Sequence, residues 1–254
     1  VDVFFCLSGL LMSNILYVRR VPLRSFYKRR VSRVLPVFLL YVLTVFSGHW
    51  LLTSEFSLIE FFATLAFLRT YIPAEPGIWQ STVPIGHLWS LNVEEHCYVL
   101  MGALALFRFH RLREAGVLLA AALLSVLTFV AYMKVPGLEP HWEGLGTEVV
   151  AVHILASAGY FLIRDRFVAY VRPWMPVASF VAAVLCYTDL TPWWSNILLA
   201  PYFLGFAVNH LQQSPRFVLH LLCLPALRKL GVWSYSIYIW QQPFYVARHQ
   251  LTTG

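Results

Sequence analysis

Charged side chains are scarce in this sequence. Asp, Glu, Lys and Arg make up 12% of its 254 residues, whereas a soluble domain carries about 25%. That shortage excludes a soluble domain with an ordinary solvated surface. Long polar blocks are lacking as well, so one membrane domain is expected over residues 1–254, with no soluble module beside it. Cysteine is rare and scattered: Cys6, Cys97, Cys186 and Cys223 include no C-x-x-C pair. A disulfide framework or a zinc site therefore has no support, and the four read as small buried residues in helices. There is no Gly-rich phosphate loop, no G-x-S-x-G elbow and no H-E-x-x-H, which leaves soluble-type hydrolase and zinc chemistry without a basis. No basic stretch precedes the apolar opening at Val1, so it does not read as a secretory signal. It reads as the interior of a membrane segment, and further residues are expected upstream.

What the sequence has is apolar length. Hydrophobic residues make up 59% and the mean hydropathy is +0.66. Apolar runs recur at 1–18, 32–52, 56–72, 87–107, 114–133, 147–163, 174–190, 193–211 and 231–250, each near the ~20 residues a helix needs to cross a bilayer. Periods near 3.6, proline breaks and few alternating stretches favour helices over barrel strands. The expected fold is all-α: a polytopic transmembrane helical bundle with about eight or nine membrane segments in this chain.

The net charge of +7 does not point to nucleic acid, because the cations cluster between apolar runs and line no polar face. A lipid bilayer, anionic headgroups and anionic substrates are the expected partners. The linker "RRVPLRSFYKRRVSR" is expected on the cytoplasmic side, and so is "RFHRLR" at 108–113. Leaving and returning takes an even number of crossings. The segment 56–72, which holds Glu60 and Arg69 and follows Glu55, is therefore expected to be re-entrant or interfacial. The later loops then alternate: "KVPGLEPHWEGLG" outside, "RDR" inside, "DLTPWW" outside, "QQSPR" inside.

Three stretches carry chemistry. In "FYKRRVSRVLP", Lys28, Arg29, Arg30 and Arg33 share one helix start, and Arg29 and Arg33 lie one turn apart. Guanidinium forks grip phosphate oxygens bidentately, although anchoring at a membrane face explains such clusters equally. In "GHLWSLNVEEHCYVL", His87, Leu91, Glu94 and Tyr98 fall on one helical stripe, with Glu95 about 100° away. A carboxylate at the bilayer centre costs at least ~2.5–3.5 kcal/mol, so Glu94 should face the bundle interior or a wet cavity. There it either meets a substrate or ties helices together. In "LGVWSYSIYIWQQPFY", Ser234, Tyr235, Ser236 and Tyr238 lie between Trp233 and Trp240. An aromatic belt and close helix packing explain them without chemistry. His153, mid-span and five residues after Glu148, reads first as a core histidine. His141, Trp142 and Glu143 fall in a loop expected outside and could meet an acceptor.

Together these stretches resemble the acyltransferase 3 family of integral membrane acyltransferases. "VDVFFCLSGLLM" is similar to its G-V-D-x-F-F-x-x-S-G-F-L, "FYKRRVSRVLPVF" to F-x-x-R-R-x-x-R-[IL]-x-P, "HLWSLNVEEHCYVL" to x-x-W-S-L-[SA]-V-E-E-Q-F-Y, and "LGVWSYSIYIWQQP" to L-G-x-[IV]-S-Y-S-[LI]-Y-L-x-H-x-P. The four occur in the family's order over nearly the whole chain. The resemblance implies transfer of an acyl group, usually acetyl, from cytoplasmic acyl-CoA to a hydroxyl of a glycan, a lipid-linked sugar or a similar acceptor, in the bacterial cytoplasmic membrane. No bound cofactor is implied, since acyl-CoA is a substrate. It implies that Lys28, Arg29, Arg30 and Arg33 hold the CoA phosphates and that Glu94 or Glu95 orients the reacting groups. Ser8, Trp89, Ser90, Tyr98, Ser236, Tyr238 and Gln241 would support them, Ser8 through a hydrogen bond and not as nucleophile. The family's first helix carries an arginine and a histidine proposed as base, expected here upstream of Val1. His96, Cys97 and Gln241 stand where the family has Gln, Phe and often His. A transporter or flippase of an anionic or sugar-bearing molecule is the rival reading, and an inactive truncated paralogue is a second.

Overall fold

The computed structural model describes residues 1–138 and 145–253, with side chains to 246. His141, Trp142 and Glu143 lie outside the described residues. The described residues form helices and turns, with no strand among them. They gather into two compact units interleaved along the chain: Val1–Leu23 with Val93–Pro140 and Thr147–Cys223, and Arg24–Asn92 with His141–Gly146 and Leu224–Gly254.

The first unit is built around α7 (Val152–Ile163), whose residues are buried almost all round. Packed on it are α1 (Asp2–Ser13, continued by a π turn Asn14–Val18), α5 (Arg111–Lys134) and α10 (Ala200–Asn209), while α8 (Trp174–Leu185) lies against α10. Small residues let these backbones approach. A Cβ on Gly9 of α1 would sit 2.2 Å from the Ile154 carbonyl oxygen. Hydroxyls then cross the seams: Ser13 Oγ donates to Ala158 O at 2.9 Å and Ser157 Oγ to Cys6 O at 2.7 Å. Asn209 Nδ2 donates to Ser157 Oγ at 3.0 Å. These hydroxyls, removed from water, find backbone acceptors inside the bundle, as a low-dielectric interior favours.

Arginines fasten one end of this unit. Arg20 grips the fully buried Glu114 of α5 through both η nitrogens, at 2.6 and 3.1 Å, and donates to Phe109 O at 2.9 Å. Its φ of +51° is a left-handed conformation that costs a non-glycine residue about 1–3 kcal/mol, and the buried pair holds it there. Arg111 meets Asp165 at 2.8 Å, and Arg164 donates to Asn209 O at 2.9 Å. The linkers after α1, α4 (Trp89–Leu106), α7 and α10 therefore meet at one end of the unit.

The second unit packs Phe38, Tyr41, Val42 and Phe46 of α2 (Leu23–Thr53) against Ile85, Leu88, Leu91 and Ile239. Ile85 and Leu88 flank a 3-10 turn, Gly86–Leu88, Leu91 lies in the first turn of α4, and Ile239 lies on α12 (Pro225–Thr253). The short α3 (Leu58–Leu65) is capped by Ser57, whose Oγ accepts from Glu60 N at 3.3 Å. Glu60 and Arg69 form a buried ion pair. Arg69 also donates to Pro76 O at 2.9 Å and lies 3.4–3.5 Å from Gly77 O and Pro73 O, which wraps the following loop around one guanidinium.

Several elements differ from the spans read in the sequence. Among the described residues, three helices are long and apolar enough to cross a membrane: Leu23–Thr53, Arg111–Lys134 and Thr147–Arg166, which contains α6 (Thr147–Val150) and α7. A fourth arises if α11 (Arg216–Leu222) and α12, bent by 57°, form one span. The segment at 193–211 divides into α9 (Ser195–Leu198) and α10. Pro201 in the first turn of α10 has no N–H to give, so the two pieces cannot share one continuous ladder. The segment at 56–72 holds only α3, about 12 Å long by helical rise, too short to cross as a helix. Residues 23–31, read as linker, belong to α2, so the basic cluster rides on a helix.

Gly9→Ala drives a methyl into backbone that cannot retreat, and overpacking of this kind costs about 1–3 kcal/mol. Gly48→Ala meets nothing within 4 Å and should gain up to about 1 kcal/mol of helix propensity. Thermal unfolding in detergent should lower the midpoint for the first and hold or raise it for the second.

Candidate functional site

In the first unit the carboxylate sits where α4 passes α1. Glu94 Oε1 accepts hydrogen bonds from Ser8 Oγ of α1 and from Tyr98 Oη one turn further along α4. Tyr98 is buried, while Glu94, Glu95 and His96 are half-buried. The Glu94–Tyr98 spacing puts both on one stripe, and the first motif supplies Ser8 because its neighbour Gly9 seats α1 against α7. His96 Nδ1 lies 2.7 Å from Thr147 Oγ1 at the start of α6. A carboxylate that takes two hydroxyls on one oxygen is anchored, and it fixes both hydroxyl protons in return.

The second unit brings together three other pieces of the motifs. Tyr238 Oη of α12 donates to His87 O, and Ser90 Oγ donates to Tyr238 Oη at 2.6 Å. His87 Nε2 donates to Ile239 O at 3.0 Å, and its ring packs edge-on against Tyr41 at 5.4 Å and Tyr238 at 5.2 Å. Tyr235 Oη reaches Val34 O on α2 at 3.0 Å, and Asn92 Nδ2 reaches Thr70 Oγ1 at 2.9 Å. The "HLWS" turn is thus tied to "SYSIYIW", and α12 to the helix bearing the cations.

On that helix Lys28, Arg29 and Arg33 are exposed and Arg30 is half-buried. Lys28, Arg29 and Arg33 make no ion pair among the described residues, and Arg29 and Arg33 stand one turn apart on α2. They differ in this from Arg20, which sequence alone grouped with them and which is committed to Glu114. The cluster offers forks to an anion at an exposed helix start.

Not every expected residue is drawn in. Ser236 lies on the exposed side of α12, because a spacing of two turns it about 160° away from Tyr238. Gln241 is half-buried and Trp89 half-buried at the start of α4, and Gln241 makes no hydrogen bond among the described residues. His153 faces Asp2 and Tyr187, not Glu148. His87, Asn92 and Arg69 carry buried polar contacts that their residue types alone did not announce. The one available signal was position, since His87 and Asn92 lie inside the quoted glutamate motif.

The profile of the "Acyltransferase domain" family, acyltransferase 3, matches residues 1–252, and the chain belongs to that family. YrhL of Bacillus subtilis (strain 168) is 25% identical over 279 residues, which cover 97% of this chain and 44% of that protein. The peptidoglycan O-acetyltransferase OatA of Listeria monocytogenes serovar 1/2a is 23% identical, covering 96% of this chain and 44% of its own length. The O-acetyltransferase OatA of Staphylococcus aureus (strain NCTC 8325 / PS 47) is 26% identical over half of this chain and 23% of its own length. The chain thus spans less than half the length of these relatives. No solved structure matches it.

If Ser8 and Tyr98 act as a unit through Glu94, their truncations are not additive. Ser8→Ala and Tyr98→Phe should each cost about 1 kcal/mol, since the half-buried Glu94 acceptor loses a donor. A double-mutant cycle in reversible detergent unfolding should return a coupling of about 0.5–3 kcal/mol. Strict additivity would show that the two hydroxyls act separately.

Proposed function

We propose that this chain is the membrane part of an acyltransferase. On this reading it moves an acyl group, in the first place acetyl, from acyl-CoA to a hydroxyl of a cell-surface glycan or lipid-linked sugar. The observation that carries the reading is the Glu94 carboxylate, held by the hydroxyls of Ser8 and Tyr98 in a chain that belongs to this family. The names of the peptidoglycan-acetylating relatives support a glycan acceptor. The exposed cations of α2 support phosphate recognition of the donor, with Arg29, Arg30 and Arg33 as forks and Lys28 as a point charge.

In this mechanism Glu94, with Glu95 about 100° round the helix, orients the acceptor or the base that removes its proton. A general base takes the proton of the acceptor hydroxyl. Ser8 and Tyr98 hold the carboxylate in one rotamer. The donor's thioester carbon is attacked by the acceptor oxygen, the C–S bond breaks, and the proton taken from the hydroxyl ends on the CoA thiolate. Eight or nine membrane segments in the bacterial cytoplasmic membrane complete the proposal, with the arginine-fastened end of the first unit on the cytoplasmic side.

A transporter would also use an intramembrane carboxylate. Radiolabelled acetyl-CoA separates the two, since only an acyltransferase leaves label on an acceptor. In the full-length protein that carries this chain, Arg33→Ala should raise KM for acetyl-CoA about tenfold by losing a phosphate contact. Glu94→Gln should lower kcat roughly 10²-fold through misplaced reactants, with KM for acetyl-CoA little changed. Undiminished turnover in both variants at normal abundance would end the proposal.

A further inference from the structure

The cations of α2 have a counterpart on α12 that the mechanism above leaves unused. Tyr235 Oη of α12 donates to Val34 O of α2 at 3.0 Å, and Trp240 meets the Tyr41 ring edge-on at 5.3 Å. Between these contacts Ile239 enters the same buried cluster as Phe38 and Tyr41. Residue numbers therefore rise in the same direction along both helices, with Tyr235 level with Val34 and Trp240 level with Tyr41. Followed back from Tyr235, Arg228 lies two turns nearer the helix start, a rise of about 10 Å. Followed back from Val34, Lys28 lies a rise of about 9 Å away. Arg228 and Lys229 thus stand at the level of Lys28 and Arg29 within the second unit. A spacing of seven also keeps Arg228 on the stripe of Tyr235, the residue that reaches α2.

Two helix starts bring Lys28, Arg29, Arg30 and Arg33 to the same end of the unit as Arg228 and Lys229. Neither helix contains an Asp or a Glu. By itself this arrangement is unfavourable, because like charges repel and the macrodipole disfavours cations near a helix N-terminus. An anion of several charges relieves both costs.

The cations form two sets of different geometry. Arg29 and Arg33, one turn apart, have Cβ atoms about 5–6 Å apart, a spacing that suits two forks on the adjoining phosphates of a diphosphate. Arg228 and Lys229 are consecutive and point about 100° apart around their helix. They offer one fork with a point charge beside it, which suits a lone phosphate monoester. A phospholipid headgroup such as phosphatidylglycerol brings one phosphate group, whereas coenzyme A brings a diphosphate and a separate 3′-phosphate.

We propose that Arg228 and Lys229 bind the 3′-phosphate of the acyl-CoA donor while Arg29 and Arg33 hold its diphosphate. The inference rests on the acyl-transfer reading for the identity of the ligand. It makes the start of α12 the element that tells coenzyme A from its 3′-dephospho form.

The test uses the full-length protein in phosphatidylcholine nanodiscs, an N-acetylglucosamine tetramer as acceptor, and radiolabelled acetyl-CoA or acetyl-3′-dephospho-CoA as donor. Wild type should prefer acetyl-CoA at least about tenfold in kcat/KM, since charge-assisted contacts are lost with the phosphate. Arg228→Ala combined with Lys229→Ala should bring that preference to within about twofold. Arg33→Ala should lower kcat/KM for both donors and keep the preference. The ratio is read on one preparation, so a smaller folded fraction does not move it. A binding arm needs no turnover: wild type should bind adenosine 3′,5′-bisphosphate about tenfold more tightly than 5′-AMP, and the double variant should bind the two alike within about twofold. An unchanged donor preference in the double variant would overturn the assignment, and so would a wild type that treats the two donors and the two nucleotides alike. A double variant that keeps the preference but associates less with phosphatidylglycerol vesicles would give the pair to lipid headgroups and overturn it as well. A wild type that tells the two nucleotides apart through Arg228 and Lys229, yet leaves no label on the tetramer, would keep the phosphate site and remove the glycan acyl-transfer reading.

Discussion

Glu94 shares one carboxylate oxygen between the hydroxyls of Ser8 and Tyr98, and this contact shows the constraint under which the chain is built. An ionisable group in an apolar bundle is tolerated only if the protein replaces the hydrogen bonds that water would have given. The same condition is met by Arg20 on Glu114, by Arg69 on Glu60 and by Asn209 on Ser157. Each joins elements distant in sequence or wraps a loop around one charge. With few charges in the chain, several of those that remain tie helices together or gather a loop.

The four quoted motifs sort into two groups in space. Within the first unit the opening motif meets the glutamates, through Ser8 and Glu94. Within the second, the "HLWS" turn, "SYSIYIW" and the cation-bearing helix are joined by Tyr238, Ser90, His87 and Tyr235. The glutamate motif contributes to both, with Trp89–Asn92 in one unit and Val93 onward in the other. The motif is dense in polar contacts: Ser90, Asn92, Glu94, His96 and Tyr98 all carry side-chain hydrogen bonds.

Much of the fold class was legible because periodicity and apolar length act locally. The helix at 111–134 lies within three residues of the run read from hydropathy. The short element at 58–65 follows from Glu60 and Arg69, whose burial needs each other more than it needs a membrane crossing. Hydropathy overestimated the helix at 193–211, since a window average does not register that Pro201 breaks the ladder. For the site, the stripe of Glu94 and Tyr98 could be read from spacing. Ser236 could not be excluded, because a run of hydroxyls does not say which ones face a partner helix.

The sequence by itself determined that this is an all-helical, membrane-type chain of the acyltransferase 3 family, with carboxylates in an apolar helix and cations at a helix start. Those properties follow from residue type and spacing along one strand of chain. Only the tertiary structure decided which polar groups meet: that Arg20 is committed to Glu114 while Lys28, Arg29 and Arg33 stand exposed, and that Asp2, Tyr187 and His153 converge. The reason is that a hydrogen bond between residues 185 positions apart depends on how helices pack, and packing is set by side-chain shape around α7 and not by any local pattern.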